Sequence, residues 1–263
     1  MARYFLDTGP IVGITFLHDL WRTESERLFD TDNTLYTCQT AVYEYCNRTD
    51  SNSVETADID WETEEGRFGD KFSTVRAAQG NLDIKLRSYD DDELDLDTLV
   101  DLFISEARIK ENVFPQSLIE EYIRPNLEDF LSEEIGDQDL TSKVARQAMD
   151  ALCDTIQTQA RNKKNCLKRR VKMAPEQDGD WEMEKRQLDF VGYRDRLILC
   201  DAAYMKDRGL LDKVVTVDSN HMYDNRKKIE AILGIRILLV KDQFADDTSY
   251  LTSGAESKGQ DTD

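Results

Sequence analysis

The sequence predicts an α/β fold in which parallel strands carry helices on their faces. Short apolar runs of strand type alternate with runs of helical periodicity in residues 1–48, and the same alternation returns in residues 190–241. Hydrophobic residues make up 40% of the 263-residue chain, which is enough to bury a core and excludes a disordered polyelectrolyte. In a sheet of this kind we expect the functional side chains at the carboxyl ends of the strands.

The amino-terminal unit starts with a predicted strand at residues 4–6, which ends at Asp7. A Thr-Gly-Pro turn leads from it into residues 11–21, whose apolar side chains recur at helical spacing. Thr23 predicts the N-cap of a short helix through residue 29, because a glutamate three positions later completes a capping box.

A second strand, rich in threonine and tyrosine, is predicted at residues 35–40, and a helix follows it at 41–46. The carboxyl-terminal unit repeats this pattern, and Gly209 and Gly234 predict the ends of its two helices. Its helix, strand, helix and strand are predicted in turn at residues 196–208, 213–217, 223–233 and 235–240.

Residues 49–189 lie between the two units and predict a mainly helical insertion into a split α/β domain. Within it, residues 50–80 hold few apolar clusters and predict a loop or a short helix. Residues 242–263 are polar and acidic, which predicts a disordered tail. The longer helices of the insertion are predicted at 94–112, at 116–135 with a bend at Pro125, and from Thr141 or Ser142 to about Met173, before a polar break at 175–180.

The chain is strongly acidic, with 54 Asp and Glu against 34 Lys and Arg and a net charge of −20. This charge excludes a generally basic nucleic-acid coat, because broad attraction to phosphate needs a positive surface. Asp outnumbers Glu and Lys is scarce, which is typical of adaptation to a salt-rich cytoplasm, where screening makes a high net charge tolerable. We therefore expect a halophilic source; an acidic protein with an acidic partner surface is the alternative.

Composition also disfavours several classes of site. No run reaches the ~18–20 apolar residues of a membrane helix, and an early charge interrupts the layout of a signal peptide. We therefore expect a cytoplasmic protein with no membrane partner. The five cysteines include no Cys-x-x-Cys pair and only His18 and His221 accompany them, which disfavours a zinc site and a disulfide framework. The sequence contains no Walker-type phosphate loop and no nucleophile elbow.

Four acidic residues are distinguished by position, because each lies at the edge of an apolar element. Asp7 and Asp218 end predicted strands, Glu44 lies one turn into an apolar helix, and Asp195 precedes one. Each is individually also explained as a cap, a turn residue or an exposed position. Four acids at one sheet edge would repel one another unless a cation lay between them. Without His or Cys beside them, they suit one or two Mg²⁺ or Mn²⁺ ions, which activate water against a phosphodiester.

The order of these acids resembles that of the PIN-domain family of metal-dependent ribonucleases. The resemblance covers residues 1–48 and 190–241, and its most specific part is a strand–Thr–x–Asp unit followed by a helix and a final strand. The residues that carry it are Leu-Asp7-Thr, Val-Tyr-Glu44, Asp195-Arg-Leu-Ile and Val-Thr216-Val-Asp218.

The resemblance implies a three-layer α/β/α sandwich with a central parallel sheet, and together with the acidic composition it leads us to expect a haloarchaeal member of the family. Asp201 competes for the third acidic place, although Asp195 fits better because it precedes the Arg-Leu-Ile helix start. The insertion is far longer than in compact toxin-type members, which disfavours a simple toxin. The implied catalytic and metal-binding residues, for Mg²⁺ or Mn²⁺, are Asp7, Glu44, Asp195 and Asp218, with Thr216 and Asn220 in support.

One segment is strongly basic although the chain as a whole is acidic. Seven bases lie within residues 161–172, with no acid among them. Such a segment is typical of a surface that grips an RNA backbone. Two other interpretations stay open: bases favour a helix carboxyl terminus through the macrodipole, or they pair with the acidic stretch at residues 90–101. The residues predicted to contact nucleic acid are Lys163, Lys164, Lys168, Arg169, Arg170 and Lys172.

The leading hypothesis is therefore a divalent-metal-dependent endoribonuclease that cleaves RNA without a protein nucleophile. One alternative is a catalytically silent PIN-like scaffold that binds RNA or protein. Another is a structure-specific DNA nuclease with the same metal chemistry. The resemblance also implies two candidate protein partners, a second copy in a homodimer and an antitoxin-like protein.

Overall fold

A five-stranded parallel sheet organises the computed structural model, which describes residues 1–47, 59–109, 116–175, 177, 181–242 and 244. The predicted α/β class is confirmed. Because the order of the sheet is β3-β2-β1-β4-β5, β1 is central and its carboxyl end lies beside that of β4. The strands are β1 (Arg3–Leu6), β2 (Thr34–Thr37), β3 (Val171–Met173), β4 (Lys213–Thr216) and β5 (Arg236–Leu239).

The helices fall into three groups along the chain. Two π-helical turns accompany them, at Ile119–Ile123 and at Ser219–Tyr223. The first group is α1 (Thr8–Thr15), α2 (Arg22–Phe29) and α3 (Gln39–Cys46). The second, between β2 and β3, is α4 (Gly66–Leu86), α5 (Leu96–Glu106), α6 (Gln116–Leu118), α7 (Arg124–Ile135) and α8 (Ser142–Arg170). The third is α9 (Glu182–Gln187), α10 (Tyr193–Asp207) and α11 (Arg226–Leu233).

The core lies on both faces of the sheet. Tyr4 and Leu6 pack into a large hydrophobic cluster with side chains of α3, α4, α5, α7 and α8, whereas Phe5 packs into a smaller cluster with α10 and α11. Successive side chains of a strand point to opposite faces, so the two clusters cover opposite faces of the sheet. The helices of the insertion therefore share their core with one face of the sheet.

Two predictions within the insertion are wrong. Residues 66–80 form most of helix α4 rather than a loop or short helix, because Phe68, Phe72 and Val75 recur at helical spacing and are buried among polar neighbours. The long helix α8 ends at Arg170, three residues before the expected end. Residues 171–173 leave it as strand β3, which pairs in parallel with β2. So short a strand carries too little pattern to be separated from the helix before it.

Other boundaries differ in smaller ways. Helix α1 ends at Thr15, well before residue 21. Helix α2 is capped by Trp21 without a side-chain hydrogen bond, so the capping box predicted at Thr23 is wrong. Thr141 does cap α8, where its side chain accepts a hydrogen bond from the backbone N–H of Val144. The helical stretch after residue 116 is interrupted by its π-helical turn, just before Pro125.

Some predictions fall on residues that the structure does not describe. These include the start of the insertion at 49–58, part of the helix expected at 94–112, part of the polar break at 175–180 and nearly all of the tail at 242–263. Among the described residues, no helix combines the length and the apolar character needed to cross a membrane.

Candidate functional site

The carboxyl ends of β1 and β4 bring two of the predicted side chains into contact. The ladder pairs Leu6 with Val215, so each strand delivers its next residue to the same edge of the sheet. There the Thr216 hydroxyl donates a hydrogen bond to Oδ2 of Asp7 at 2.9 Å. Oδ1 of Asp7 accepts one from the backbone N–H of Thr8 at 2.6 Å, as the N-cap of α1. Asp7 is therefore buried and fixed from two sides.

Glu44 joins Asp7 through Thr8. The Thr8 hydroxyl donates a hydrogen bond to Oε2 of Glu44 at 2.7 Å, although the two residues lie 36 positions apart. Glu44 is buried on α3, which follows strand β2, the neighbour of β1. A chain of hydrogen bonds thus links β4, β1 and α3, and the sequence did not single out Thr8 as its bridge.

Arg67 is the positively charged member of the site, and sequence reasoning missed it. Its guanidinium lies 2.5 Å from Oε1 of Glu44 and keeps 47% of its side-chain surface exposed. Burial alone would lower the pKa of Arg67, but the charges of Glu44, Asp7 and Asp195 together raise it. The charges of three of the four predicted acids therefore act on the same positively charged side chain, Arg67.

Gly66 explains how Arg67 reaches this position. Its φ of +60° is in the left-handed region, and a Cβ there would lie 2.6 Å from the carbonyl oxygen of Glu44. The backbone N–H of Glu65 donates to the carbonyl of Cys46 at 3.1 Å, so α4 begins against the end of α3. The helical spacing of Phe68, Phe72 and Val75 is the sequence signal for a long helix here, and the prediction of a loop or short helix at residues 50–80 does not use it.

Asp195 lies within range of the charges of the other acids, because these charges contribute to the shift of its pKa. It is the third residue of α10, which begins at Tyr193, so the predicted alternative of an N-cap is wrong. The pKa of Asp195 is raised to about 7, first by burial and then by the charges of the other three acids, against an opposing effect of Arg67. The charges of Asp7, Glu44 and Asp218 therefore all reach Asp195.

The pKa of Asp7 is raised as well, to about 6. Burial is again the first cause and the charge of Glu44 the second. Arg67, the hydroxyl of Thr216 and the backbone of Thr8 oppose the shift, because each stabilises the ionised carboxylate. Burial and the neighbouring carboxylates thus outweigh the effect of Arg67 on the pKa of both Asp7 and Asp195.

Asp218 occupies the start of the π-helical turn after β4. Its Oδ1 accepts hydrogen bonds from the backbone N–H groups of Asn220 at 3.0 Å and His221 at 2.9 Å, while its own N–H donates to the Thr216 hydroxyl. Its Oδ2 lies 3.2 Å from Nδ1 of His221. Asn220 is exposed and contacts Asp218 through its backbone, so a supporting role for its side chain stays a prediction.

Asp201, the competing third acid, lies in different surroundings. Burial raises its pKa to about 6, and its charged and polar neighbours are Cys38, Gln177 and Lys185. Gln177 donates a hydrogen bond to its Oδ1 at 2.7 Å. Asp7, Glu44 and Asp218 thus act on the pKa of Asp195 but are not among the groups that act on Asp201, and the choice of Asp195 as the third acid stays a prediction.

The carboxylate oxygens of this group are suitable ligands for a divalent cation, but the guanidinium of Arg67 is paired with one of them, Oε1 of Glu44. Among the described residues, no three Asp, Glu, His or Cys side chains are grouped as a metal ion would need. The oxygens of Asp7 and Glu44 are instead engaged by hydroxyls, a backbone N–H and the guanidinium. Asp7, Glu44, Asp195 and Asp218 offer carboxylate oxygens, which are hard donors of the kind that Mg²⁺ and Mn²⁺ prefer.

The basic segment predicted to contact RNA is largely engaged within the chain. Lys164 is buried, donates to the carbonyls of Glu62 and Thr63, and lies 4.5 Å from the ring centroid of Phe68. Lys168 pairs with the carboxylate of Glu62 at 2.7 Å. These bases pack α8 against the segment that leads into α4.

The remaining bases of the segment either have partners within the chain or are exposed. Arg170 donates to the carbonyls of Thr31 and Asn33, and Lys163 lies 3.6 Å from the carboxylate of Glu26. Arg169 and Lys172 are exposed, and Lys172 lies in β3 rather than on the predicted helix. The interpretation that these bases pair with the acidic stretch at residues 90–101 is wrong. Their observed acidic partners are Glu26, Glu62 and, for Arg161, Glu64. RNA contact by the segment stays a prediction.

An acidic group with an internal arginine thus lies at the carboxyl ends of β1 and β4. The resemblance to PIN-domain ribonucleases stays a prediction that the quoted motifs carry. Comparison of the chain with protein-family models, with curated proteins and with solved structures finds no match.

Proposed function

We propose that this protein is a divalent-metal-dependent endoribonuclease of PIN type, built on a three-layer α/β/α sandwich. Mg²⁺ or Mn²⁺ would be held by Asp7, Glu44, Asp195 and Asp218. The observation that carries the proposal is the chain of hydrogen bonds from Thr216 to Asp7 and through Thr8 to Glu44, which brings acids from separate parts of the chain to one edge of the sheet. Glu44 raises the pKa of Asp7, and the other three acids raise that of Asp195. Such repulsion favours the binding of a cation.

The side chains of this site have separate roles in the proposed reaction. Thr8 and Thr216 hold the Asp7 carboxylate in one orientation, which a ligand of a catalytic ion requires. A bound Mg²⁺ or Mn²⁺ supplies the activation of water and the stabilisation of charge on the phosphodiester. Arg67 neutralises Glu44 in the absence of the cation, and its guanidinium suits a substrate phosphate once that pairing is released.

A second candidate function is a catalytically silent scaffold of the same fold that binds RNA or protein. The ion pair between Arg67 and Glu44 favours it, because an internal cation already offsets part of the acidic charge. The two candidates differ in one property: the nuclease must exchange this internal cation for a divalent one, and the scaffold need not.

A cleavage assay separates these candidates. Labelled single-stranded RNA and DNA of the same sequence are incubated with the protein in Mn²⁺, in Mg²⁺ and in EDTA, over a series of salt concentrations. We expect metal-dependent RNA cleavage that Asp7→Asn reduces by more than about 100-fold, since even indirect partners of a metal contribute about 10–100-fold. The matched control is Asp201→Asn, another acid of α10 with a raised pKa but outside the group, which should retain activity.

Three outcomes would contradict the proposal. Cleavage that persists in Asp7→Asn would place the activity elsewhere or in a contaminant. Cleavage of DNA alone would favour the structure-specific DNA nuclease. A complete lack of cleavage, with RNA binding intact, would favour the silent scaffold.

A further inference from the structure

A cleft of about 460 Å³ runs beside β5, the last strand of the sheet, and α11. Tyr223 lines it, and two acids, Glu230 and Asp242, also reach its wall. Most of its charged side chains are nevertheless basic, which is unusual in a chain with a net charge of −20. The bases that line the cleft are Lys213, Arg226, Lys227 and Arg236.

These four bases come from two neighbouring places in the fold. Lys213 and Arg236 are register partners at the start of β4 and β5, so they lie side by side on the sheet. Arg226 and Lys227 open helix α11. Residues 213–241 as a whole carry six Lys and Arg against three Asp and Glu, so this region has a local excess of positive charge.

The bases of the cleft are not engaged in ion pairs with the carboxylates that the structure describes. Arg226 donates to the carbonyl of Tyr223 at 2.8 Å and lies 4.1 Å from its ring centroid, and neither contact neutralises its charge. Asp212, the sequence neighbour of Lys213, forms its hydrogen-bonded ion pair with Arg3, although the charge of Lys213 also acts on it. In the predicted basic segment, by contrast, Lys163 and Lys168 pair with the carboxylates of Glu26 and Glu62.

Tyr223, on one wall of the cleft, lies one hydrogen-bonded turn from Asp218, whereas Lys213 and Arg236 begin β4 and β5 and therefore lie toward the opposite edge of the sheet. Asp218 starts the π-helical turn that Tyr223 ends, and the backbone N–H of Tyr223 donates to the carbonyl of Asp218 at 3.0 Å. A polymer with one phosphate at the acids would enter the cleft across this turn and continue along β5 to reach the bases at the strand starts. Bases distributed over two strand starts and a helix start suit successive phosphates better than one compact anion.

We infer that this cleft binds the phosphate backbone of the single-stranded RNA on which the acidic group acts. The inference rests on the proposed function, because it takes the ligand of the cleft to be the same strand. It differs from the sequence prediction in location: the backbone is held by the β5–α11 cleft, while residues 161–172 mainly stabilise the fold. The cleft attracts a polyanion that the rest of the acidic surface repels.

Binding without cleavage tests this inference. Fluorescence anisotropy with labelled single-stranded RNA is measured in EDTA over a potassium chloride series, with Asp7→Asn as the parent protein. Lys227→Gln with Arg236→Gln removes two exposed bases of the cleft. Arg76→Gln with Lys143→Gln removes two exposed bases on α4 and α8 and serves as the matched control. Thermal unfolding establishes that each variant is folded, and Lys227→Gln alone replaces the pair if the pair is not.

We expect the cleft variant to bind RNA about tenfold more weakly at low salt. The slope of log K against log salt should also fall by about 0.7 for each phosphate that the protein no longer neutralises. The control should keep the affinity and slope of the parent. Equally weakened binding by both variants would overturn the inference, as would weakening only when Arg169 and Lys172 are replaced. Binding of inorganic phosphate alone as tightly as RNA would overturn the assignment to a polymer.

The result is distinguishable from failure of the proposed function. RNA cleavage by the wild type together with unchanged binding by the cleft variant would reject the cleft and keep the nuclease. Weakened binding by the cleft variant together with no cleavage by the wild type would keep the cleft and reject the nuclease.

Discussion

Asp195 and Arg67 carry opposite charges at the acidic group. Asp195 is held beside other acids with its pKa raised to about 7, and Arg67 supplies the positive charge that partly offsets them. Such an arrangement costs stability as long as the acids are ionised and no further cation is present. The metal-free protein should therefore be less stable where all of these acids carry charge than where Asp7 and Asp195 are protonated.

The pH dependence of unfolding follows from this. The ordinary pKa of Asp is 3.8, and folding raises that of Asp7 to about 6 and of Asp195 to about 7. Between these values the folded state binds more protons than the unfolded state, so the free energy of unfolding falls as the pH rises from about 4 to about 7. Each group contributes a slope of at most about 1.4 kcal/mol per pH unit.

Urea unfolding of the protein in EDTA, over this pH range, checks the expectation. Asp195→Asn should flatten the dependence and stabilise the metal-free protein near neutral pH, because it removes the repulsion. The matched control is Asp70→Asn, an exposed acid on α4, which should leave the slope unchanged. If the free energy of unfolding of Asp195→Asn fell with pH as steeply as that of the wild type, Asp195 would not be an acid whose pKa is raised by folding.

At the level of elements, the start of α4 determines where Arg67 lies. Gly66 combines a φ of +60° with a close approach to the backbone of Glu44, so any Cβ there meets both strain and a steric clash. Gly80 lies on the same helix, and a Cβ added there would have open space for 4 Å around it. The two glycines therefore have opposite expected responses to the same substitution.

Gly66→Ala should destabilise the protein by about 1–3 kcal/mol, the usual cost of a strained backbone position. Gly80→Ala should stabilise it by up to about 1 kcal/mol, because alanine is the better helix former. Chemical denaturation measures both. Equal effects of the two substitutions would show that the junction between α3 and α4 is not constrained as described.

Strand and helix alternation made much of the sheet predictable. Strands β1 and β4 are short apolar runs that end beside Asp7 and at Thr216, so the sequence pattern located both the strands and the side chains at their ends. Glu44 was predictable from its place in an apolar helix. Arg67 and β3 were not, because one belongs to a helix of sparse apolar pattern and the other is three residues long.

For the whole molecule, the net charge of −20 makes the folded state repel itself at low ionic strength. Added salt screens this repulsion, since the Debye length falls from about 10 Å at 0.1 M to about 3 Å at 1 M. We expect the Tm to rise by at least about 2–4 °C between these salt concentrations, which corresponds to about 1 kcal/mol for a protein of this size.

Differential scanning calorimetry in potassium chloride measures this shift. A variant with the exposed acids Asp70, Asp92 and Asp129 changed to Asn provides the matched comparison. Its Tm should rise less with salt than that of the wild type, because it carries less charge to screen. A Tm that is independent of salt in both proteins would contradict adaptation to a saline cytoplasm.

Binding of a divalent cation by Asp7, Glu44, Asp195 and Asp218 together underlies the proposed function, and a calorimetric titration with Mn²⁺ measures it without any substrate. We expect the wild type to bind Mn²⁺, Asp195→Asn to bind it at least about tenfold more weakly, and Asp201→Asn to bind it as the wild type does. No Mn²⁺ binding by the wild type, or equally weakened binding by the two variants, would contradict the proposed metal site.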